Sequence, residues 1–330
     1  MSEMTNDDLE TMPIIDIIRY STRTEKCRNE VIEMTAERKL KLKISMTDIY
    51  SIQIYESFPA FSMNSVMIFI EQINAKAVYN STTFNGKLVP TTLTVCPTHL
   101  KTHWRNIIEG LIFMLDYLME LFPNSEICCL HIGEESGNNK RTVIEWMKNK
   151  GLSDVEFCQI LDEINAEDSS YILENVNITS GMEVNTELPD NFECTLPRNL
   201  EHFECEYSKW IKREQLLNMN FKYFYIIRTQ FRNEDVSEFI GKWLIGGLSE
   251  LRFCILHAPF YDLDEIVSGI KYKKTVSTLQ CTVKPSKYSK DEHEMNGVYD
   301  YLRKDGKIIT IGTSSHYLLG KLIQLYVWSK

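Results

Sequence analysis

The 330-residue sequence has no apolar run approaching the roughly 20 residues that a membrane-spanning helix needs. It has no charged and then apolar leader: the opening MSEMTNDDLE is acidic and polar, which argues against a secretory signal peptide. Positive charge is in deficit. Lys and Arg number 36 against 46 Asp and Glu, a formal net charge of −10, and a general nucleic-acid binder needs the opposite sign to meet phosphates. No Cys-x-x-Cys pair occurs among the nine cysteines, which are odd in number and scattered. Without an export signal these are expected to be reduced thiols of an intracellular protein, cytoplasmic or nuclear. Asn80-Ser-Thr and Asn177-Ile-Thr match the glycosylation pattern, but a cytosolic chain would not use them.

What is present is ample material for a core, 43% apolar residues, organised around the stretch from Phe221 to Ala258. Phe221 to Arg228 is aromatic and β-branched and predicts a strand. Asn233 is expected to cap a helix whose apolar face is Val236, Phe239, Ile240, Trp243 and Leu244, spaced i, i+3, i+4, i+7, i+8. Gly246-Gly247 ends it, since glycine enters the left-handed turn at little cost, and Leu251, Phe253 and Ile255 resume a strand.

Elsewhere the patterns give an α/β (α+β) chain in four parts. Residues 1–35 form a short helical segment, with the cluster Ile14, Ile15, Ile17, Ile18 and then a basic tail. Residues 36–100 are β-rich: Leu40, Leu42 and Ile44 alternate with lysines, Val66 to Ile70 is a buried-type run, and Asn85-Gly86 signals a hairpin. Residues 101–260 are a strand–helix body. Here Trp104 to Leu121 predicts a long helix, Glu126 to Ile132 a strand, Asn139 to Asn149 a helix and Val155 to Leu161 a strand, an alternation that implies parallel strands. Residues 261–330 hold C-terminal strands: Tyr261 to Ile270 as a helix, Thr278 to Val283 as a strand, Lys284 to Asn296 as a charged loop, then two strands about an Asp305-Gly306 turn and a last strand at 322–328. An apolar-x-x-apolar-x-apolar frame starts at Leu152, Leu173, Leu200, Phe221 and Leu248. Its spacing lies inside the leucine-rich-repeat range of about 20–29 residues, so the body is expected to be a degenerate leucine-rich-repeat-like array, broken by a loop at 181–198.

Catalytic patterns are incomplete. Gly133 to Thr142 has strand-to-helix context, but its glycines and Lys140 miss the phosphate-loop spacing and two glutamates would repel a phosphate. Cys96, His99 and His103 could offer three metal ligands on a turn and helix start, one short of a closed structural site. Cys128 and Cys129 are adjacent on a strand and point to opposite faces. Asp305, Ser314 and His316 supply triad residue types without a nucleophile elbow, and Asp291 to Glu294 reads as a solvated charge run. No catalytic residue, metal or cofactor is expected.

Two C-terminal patterns carry a resemblance. From Arg213 to Leu256 the chain has Phe224 to Ile227, Asn233-Glu-Asp, Phe239-Ile240-Gly-Lys-Trp243 with Gly246, and Leu251, Phe253, Ile255. Further on come Tyr301-Leu-Arg-Lys-Asp305-Gly306-Lys-Ile-Ile-Thr-Ile311 and Leu325-Tyr-Val-Trp328. Together these are similar to the nematode F-box-associated domain of type 2, placed at about 195–260. In that family an F-box precedes the domain. Leu9-Glu-Thr-Met12-Pro13-Ile-Ile-Asp16-Ile17-Ile18, continuing to Val31, resembles its second part, with the opening Leu-Pro segment missing and Ser-Lys-Arg replaced by Thr24-Glu25-Lys26, so the segment reads as a shortened F-box.

The resemblance implies a substrate-recognition adaptor of an SCF-type cullin–RING ubiquitin ligase. Leu9, Met12, Ile14, Ile17 and Ile18 would contact a Skp-type adaptor. The body would present an unidentified protein substrate, with no nucleic acid or membrane as partner. Two alternatives stand beside it: a stand-alone protein-interaction module that has lost adaptor binding, and a cryptic nucleotide- or metal-binding enzyme built on Lys140 or on Cys96, His99 and His103.

Overall fold

The computed structural model describes residues 12–56, 65–161, 164–198, 200–257, 261–277, 279–283, 287–288, 293–316 and 320–329. The chain divides into two compact units, 1–156 and 157–330. No described helix is long and apolar enough to cross a membrane.

The first unit opens with helices α1 (Ile14–Ser21) and α2 (Glu25–Thr35). Then come strands β1 (Lys41–Met46), β2 (Tyr50–Tyr55), β3 (Val66–Gln72), β4 (Asn80–Phe84), β5 (Lys87–Leu93) and β6 (His99–Trp104). Helix α3 (Ile107–Leu121), strand β7 (Glu126–Ile132) and helix α4 (Asn139–Asn149) follow. The strands pair in the order β7-β1-β2-β3-β6-β5-β4, with β7–β1 and β3–β6 parallel and the rest antiparallel. The lysine alternation of β1 is kept: Leu42, Ile44 and Met46 are buried, and Lys41 and Lys43 lie half-exposed. Asn85 and Gly86 both take positive φ, 45° and 75°, as the expected hairpin turn between β4 and β5 requires.

One boundary differs from expectation. Trp104 belongs to β6, not to the helix. Its indole N–H donates to the Thr102 hydroxyl at 2.9 Å, and Asn106 caps α3 by accepting from the Ile108 N–H. The Trp104 ring lies against Gly110, one turn inside the helix.

Strand β8 (Asp154–Leu161) contains the boundary between the units. The second unit holds α5 (Ala166–Asn175), β9 (Asn177–Asn185), β10 (His202–Cys205), α6 (Arg213–Asn218), β11 (Tyr223–Ile226), α7 (Asn233–Leu244) and β12 (Phe253–Leu256). After these come α8 (Leu263–Ser268), β13 (Lys274–Val276), β14 (Gln280–Val283), β15 (His293–Leu302), β16 (Lys307–His316) and β17 (Gly320–Ser329). Strands β9, β10, β11 and β12 are consecutive and parallel, as the strand–helix alternation predicts. β12 then pairs antiparallel with β17, and the order continues β17-β16-β15, with β13 and β14 both on the outer side of β15.

The five sequence frames find strands, but not always in register. Phe203/Cys205 and Phe224/Ile226 are aligned partners as expected. Their other partners are Met182/Val184 and Cys254/Leu256, not Val176/Ile178 and Leu251/Phe253. All eight aligned side chains are at or below 1% exposure, and on this face Phe224 packs edge-on against Phe239 of α7. The pattern slipped because apolar residues also flank each strand: Val176 caps α5 and Leu251 precedes β12, and both are buried outside the ladder.

Three further expectations are corrected. Residues 181–185 are strand β9, so the loop starts later than 181. The stretch 293–296 is strand, not charged loop; residues 284–286 and 289–292 lie outside the described residues. The helix expected at 261–270 and the strand at 278–283 are found, shorter, as α8 and β14.

Candidate functional site

Within α7, Val236, Phe239, Ile240, Trp243 and Leu244 are all buried, so the apolar face expected from spacing is the packed face. Asn233 does not cap it. Its side-chain oxygen instead accepts from the Asp262 N–H at 3.1 Å and its amide donates to Glu265 at 2.5 Å, tying α7 to the start of α8. The helix start is held by Asp235, whose carboxylate accepts the Arg232 N–H at 2.8 Å. Gly246, at φ +99°, ends the helix as foreseen. Arg228 after β11 also has positive φ, 54°; its guanidinium pairs with Glu206 at 3.2 Å and lies over the Tyr207 ring.

The two patterns that carry the resemblance meet in space. Arg303, 8% exposed, lies with its guanidinium 4.5 Å from the centre of the Trp243 ring. It donates to the Trp243 carbonyl at 3.3 Å and holds Asp305 through two hydrogen bonds at 2.8 and 2.5 Å. The guanidinium beside it holds the Asp305 carboxyl far below the usual carboxylate range.

The β9-to-β10 connection is the one crossover within β9–β12 that carries no helix among the described residues. It runs as an extended strap, pinned by Gln215, whose side-chain N–H donates to the Cys194 carbonyl at 3.1 Å, and by the edge-on contact of Phe192 with Trp210. A cavity opens on each side of residues 194–198. One, of about 560 Å³, is lined by Leu196, Arg198, Glu214, Met219 and Phe221 among others. The other, of about 630 Å³, is lined by Leu173, Val176, Ile178, Leu196 and Arg198 among others. Sequence reasoning left the target-binding face unassigned.

The N-terminal candidates are placed differently from one another. Leu9 lies outside the described residues. Met12 is half-buried, just ahead of α1. Ile14, Ile17 and Ile18 are at 5%, 0% and 0% exposure, so these three side chains already serve this chain's own core. Asp16 and Arg19, paired at 3.2 Å, are what α1 turns outward.

The remaining candidates do not converge. Cys96 lies on a turn with its thiol against Thr98, which lowers its pKa, and His99 and His103 are four residues apart on β6, not on a helix start. Four residues of strand span about 13 Å, too far for one ion, and no cluster of three metal-ligating side chains occurs among the described residues. His103 Nε2 and the Thr92 hydroxyl are 2.8 Å apart, and burial lowers the His103 pKa. The Lys140 ammonium is buried and donates to the Gly137 carbonyl of its own turn. Cys128 and Cys129 are both buried, and burial pushes the Cys128 thiol up to about 12. Asp305 is taken by Arg303, and Asp291 lies outside the described residues.

Residues 191–256 match the family described as F-box associated. That segment contains the strap, both α6 and α7, and strands β10 to β12. No curated protein and no solved structure matches the chain.

Proposed function

We propose that this protein is a substrate-recognition subunit of an SCF-type cullin–RING ubiquitin ligase. The observation that carries the reading is the match of residues 191–256 to the F-box associated family. The second unit would hold an intracellular target protein, and the cavities flanking the 194–198 strap are its recognition surface, since the matched segment lines all of one and half of the other. The chain would supply no catalytic residue and no cofactor. It would raise the local concentration of a target lysine beside a charged ubiquitin carrier, which accelerates transfer without chemistry of its own.

Adaptor contact would fall on Leu9, on Met12 and on the outward side of α1, because Ile14, Ile17 and Ile18 are buried within this fold. An aspartate at Ile17 or Ile18 would therefore test folding before it tested binding. The test is a reconstituted ubiquitylation reaction containing the activating and conjugating enzymes, the cullin–RING core and a purified Skp-type adaptor. The chain itself is the substrate read out. Modification that requires the adaptor and drops on Leu9→Asp with Met12→Asp supports the reading; modification indifferent to the adaptor contradicts it.

The burial of those three isoleucines favours a second reading, a stand-alone protein-interaction module that binds targets without the ligase. Under it the reconstituted reaction leaves the chain unmodified while the second unit still retains its partners.

A further inference from the structure

Between Lys271 and Lys290 the sequence has six lysines and no aspartate or glutamate, in a chain whose net charge is −10. The structure places the first of them along an open sheet edge. Lys271, Lys273 and Lys274 are exposed and lead into β13, which pairs with β15 on one side and with no strand on the other among the described residues.

Among the described residues the backbone of this edge has no partner. Ser277 N–H donates to the Val298 carbonyl at 3.0 Å, which makes Ser277 an inward, hydrogen-bonded position. In an antiparallel pair these positions alternate, so the N–H and C=O groups of Lys274 and Val276 turn to the open side.

Lysines on an edge strand also serve to discourage pairing. A guarded edge has no reason to display apolar side chains as well, yet Tyr272 is 41% exposed, Val276 79% and Leu302, on neighbouring β15, 64%. Lys274 is ordered over the Tyr299 ring, its ammonium 4.2 Å from the centre, which extends an amphipathic surface beside the free backbone.

We propose that β13 is a docking strand for an acidic, extended segment of a partner protein. The segment adds antiparallel or parallel to the outer edge of Lys274–Val276. Its backbone takes the outward N–H and C=O groups, its carboxylates face Lys273 on one side of the strand, and its apolar side chains cover Val276 and Tyr272 on the other, beside the Lys274 stem that lies over Tyr299. The proposal rests on the target-recognition reading for its biological role, but the binding itself needs no ubiquitin-ligase component. Failure of adaptor binding and failure of this contact are therefore separate results.

The experiment uses the full chain and a fluorescent peptide of about ten alternating Glu and Val residues, a length that forms one strand, read by anisotropy. Binding with Kd below about 1 mM is expected at low salt, weakening as salt screens the lysines. Lys273→Glu with Lys274→Glu should weaken it at least about tenfold. Val276→Pro, which removes an outward N–H at an edge where proline is tolerated, should do the same with the melting temperature retained. No binding by the native chain overturns the proposal. Equal binding of a peptide with prolines at alternate positions also overturns it, because charge alone then suffices. Tighter binding of a single-stranded oligonucleotide of similar charge overturns it in favour of a nucleic-acid patch.

Discussion

The Arg303 guanidinium stacks on the Trp243 ring and donates to the Trp243 carbonyl, so the C-terminal hairpin is locked to the end of α7 by one side chain. The two residues are 60 positions apart and belong to the two separate patterns that carry the resemblance. A cation over indole is attracted by the ring's negative face, and here the ring is 1% exposed and the cation nearly so.

Replacing Arg303 by methionine keeps much of the packing volume and removes the charge. Asp305 is half-exposed and can turn to water, so the loss is confined to the stacking and the hydrogen bonds. The expected destabilisation is about 1–3 kcal/mol by urea unfolding. A double-mutant cycle of Arg303→Met with Trp243→Leu should give a coupling energy of about 0.5–2 kcal/mol. Strict additivity would mean that the stacked geometry contributes nothing.

The same contact sets a pH dependence. Hydrogen bonding to Arg303 is the main cause that depresses the Asp305 carboxyl, from an ordinary value of 3.8, and the Lys307 N–H adds to it. A carboxyl whose folded pKa is lowered stabilises the fold above its unfolded pKa and loses that contribution as pH falls toward the folded value. The difference in stability between native protein and Asp305→Asn should therefore be constant from neutral pH down to about 5 and shrink only in strong acid. Unfolding curves at several pH values check this; a difference that changes between neutrality and mild acid would contradict it.

Gly110 is predicted to be irreplaceable for steric reasons. A Cβ there would stand 2.3 Å from the Trp104 ring, which lies flat on the first turns of α3. Gly110→Ala, normally favourable in a helix, should instead cost about 1–3 kcal/mol, as overpacking a core does. Thermal unfolding monitored by tryptophan fluorescence reads both the loss and the displaced ring.

The thiols should divide by burial. Burial pushes the Cys158 thiol up to about 12 and raises Cys205 and Cys254 too, whereas the Thr98 hydroxyl lowers Cys96. Brief alkylation of the native protein near neutral pH, followed by peptide mass mapping, should label Cys96 first. Cys158, Cys205 and Cys254 should react only after unfolding. Early labelling of Cys254 would contradict the position of β12 in the sheet interior.

Much of this fold was legible because single elements announce themselves. The bounds of β7 and α4 follow from apolar runs and spacing, and the Asn85-Gly86 and Asp305-Gly306 turns from residues that accept positive φ. What depends on long-range pairing was not. The aligned set Met182, Phe203, Phe224 and Cys254 has no local mark that separates it from Val176 or Leu251, because register is chosen by neighbouring strands. Asn233 looks like a cap in sequence, but Asp235 supplies the carboxylate and frees Asn233 to join α8. The isoleucines of α1 were legible as an apolar cluster. That they face inward is a property of the packed unit, which a sequence pattern cannot distinguish from a docking face.

The most direct test of the ubiquitin-ligase account is titration calorimetry of the purified full-length chain with a purified Skp-type adaptor. Binding with Kd of about 10 μM or tighter, lost on Leu9→Asp with Met12→Asp and kept on Arg303→Met, is the expected result. Absence of binding at about 100 μM of both proteins, with the chain folded, would contradict the account and leave the stand-alone interaction module.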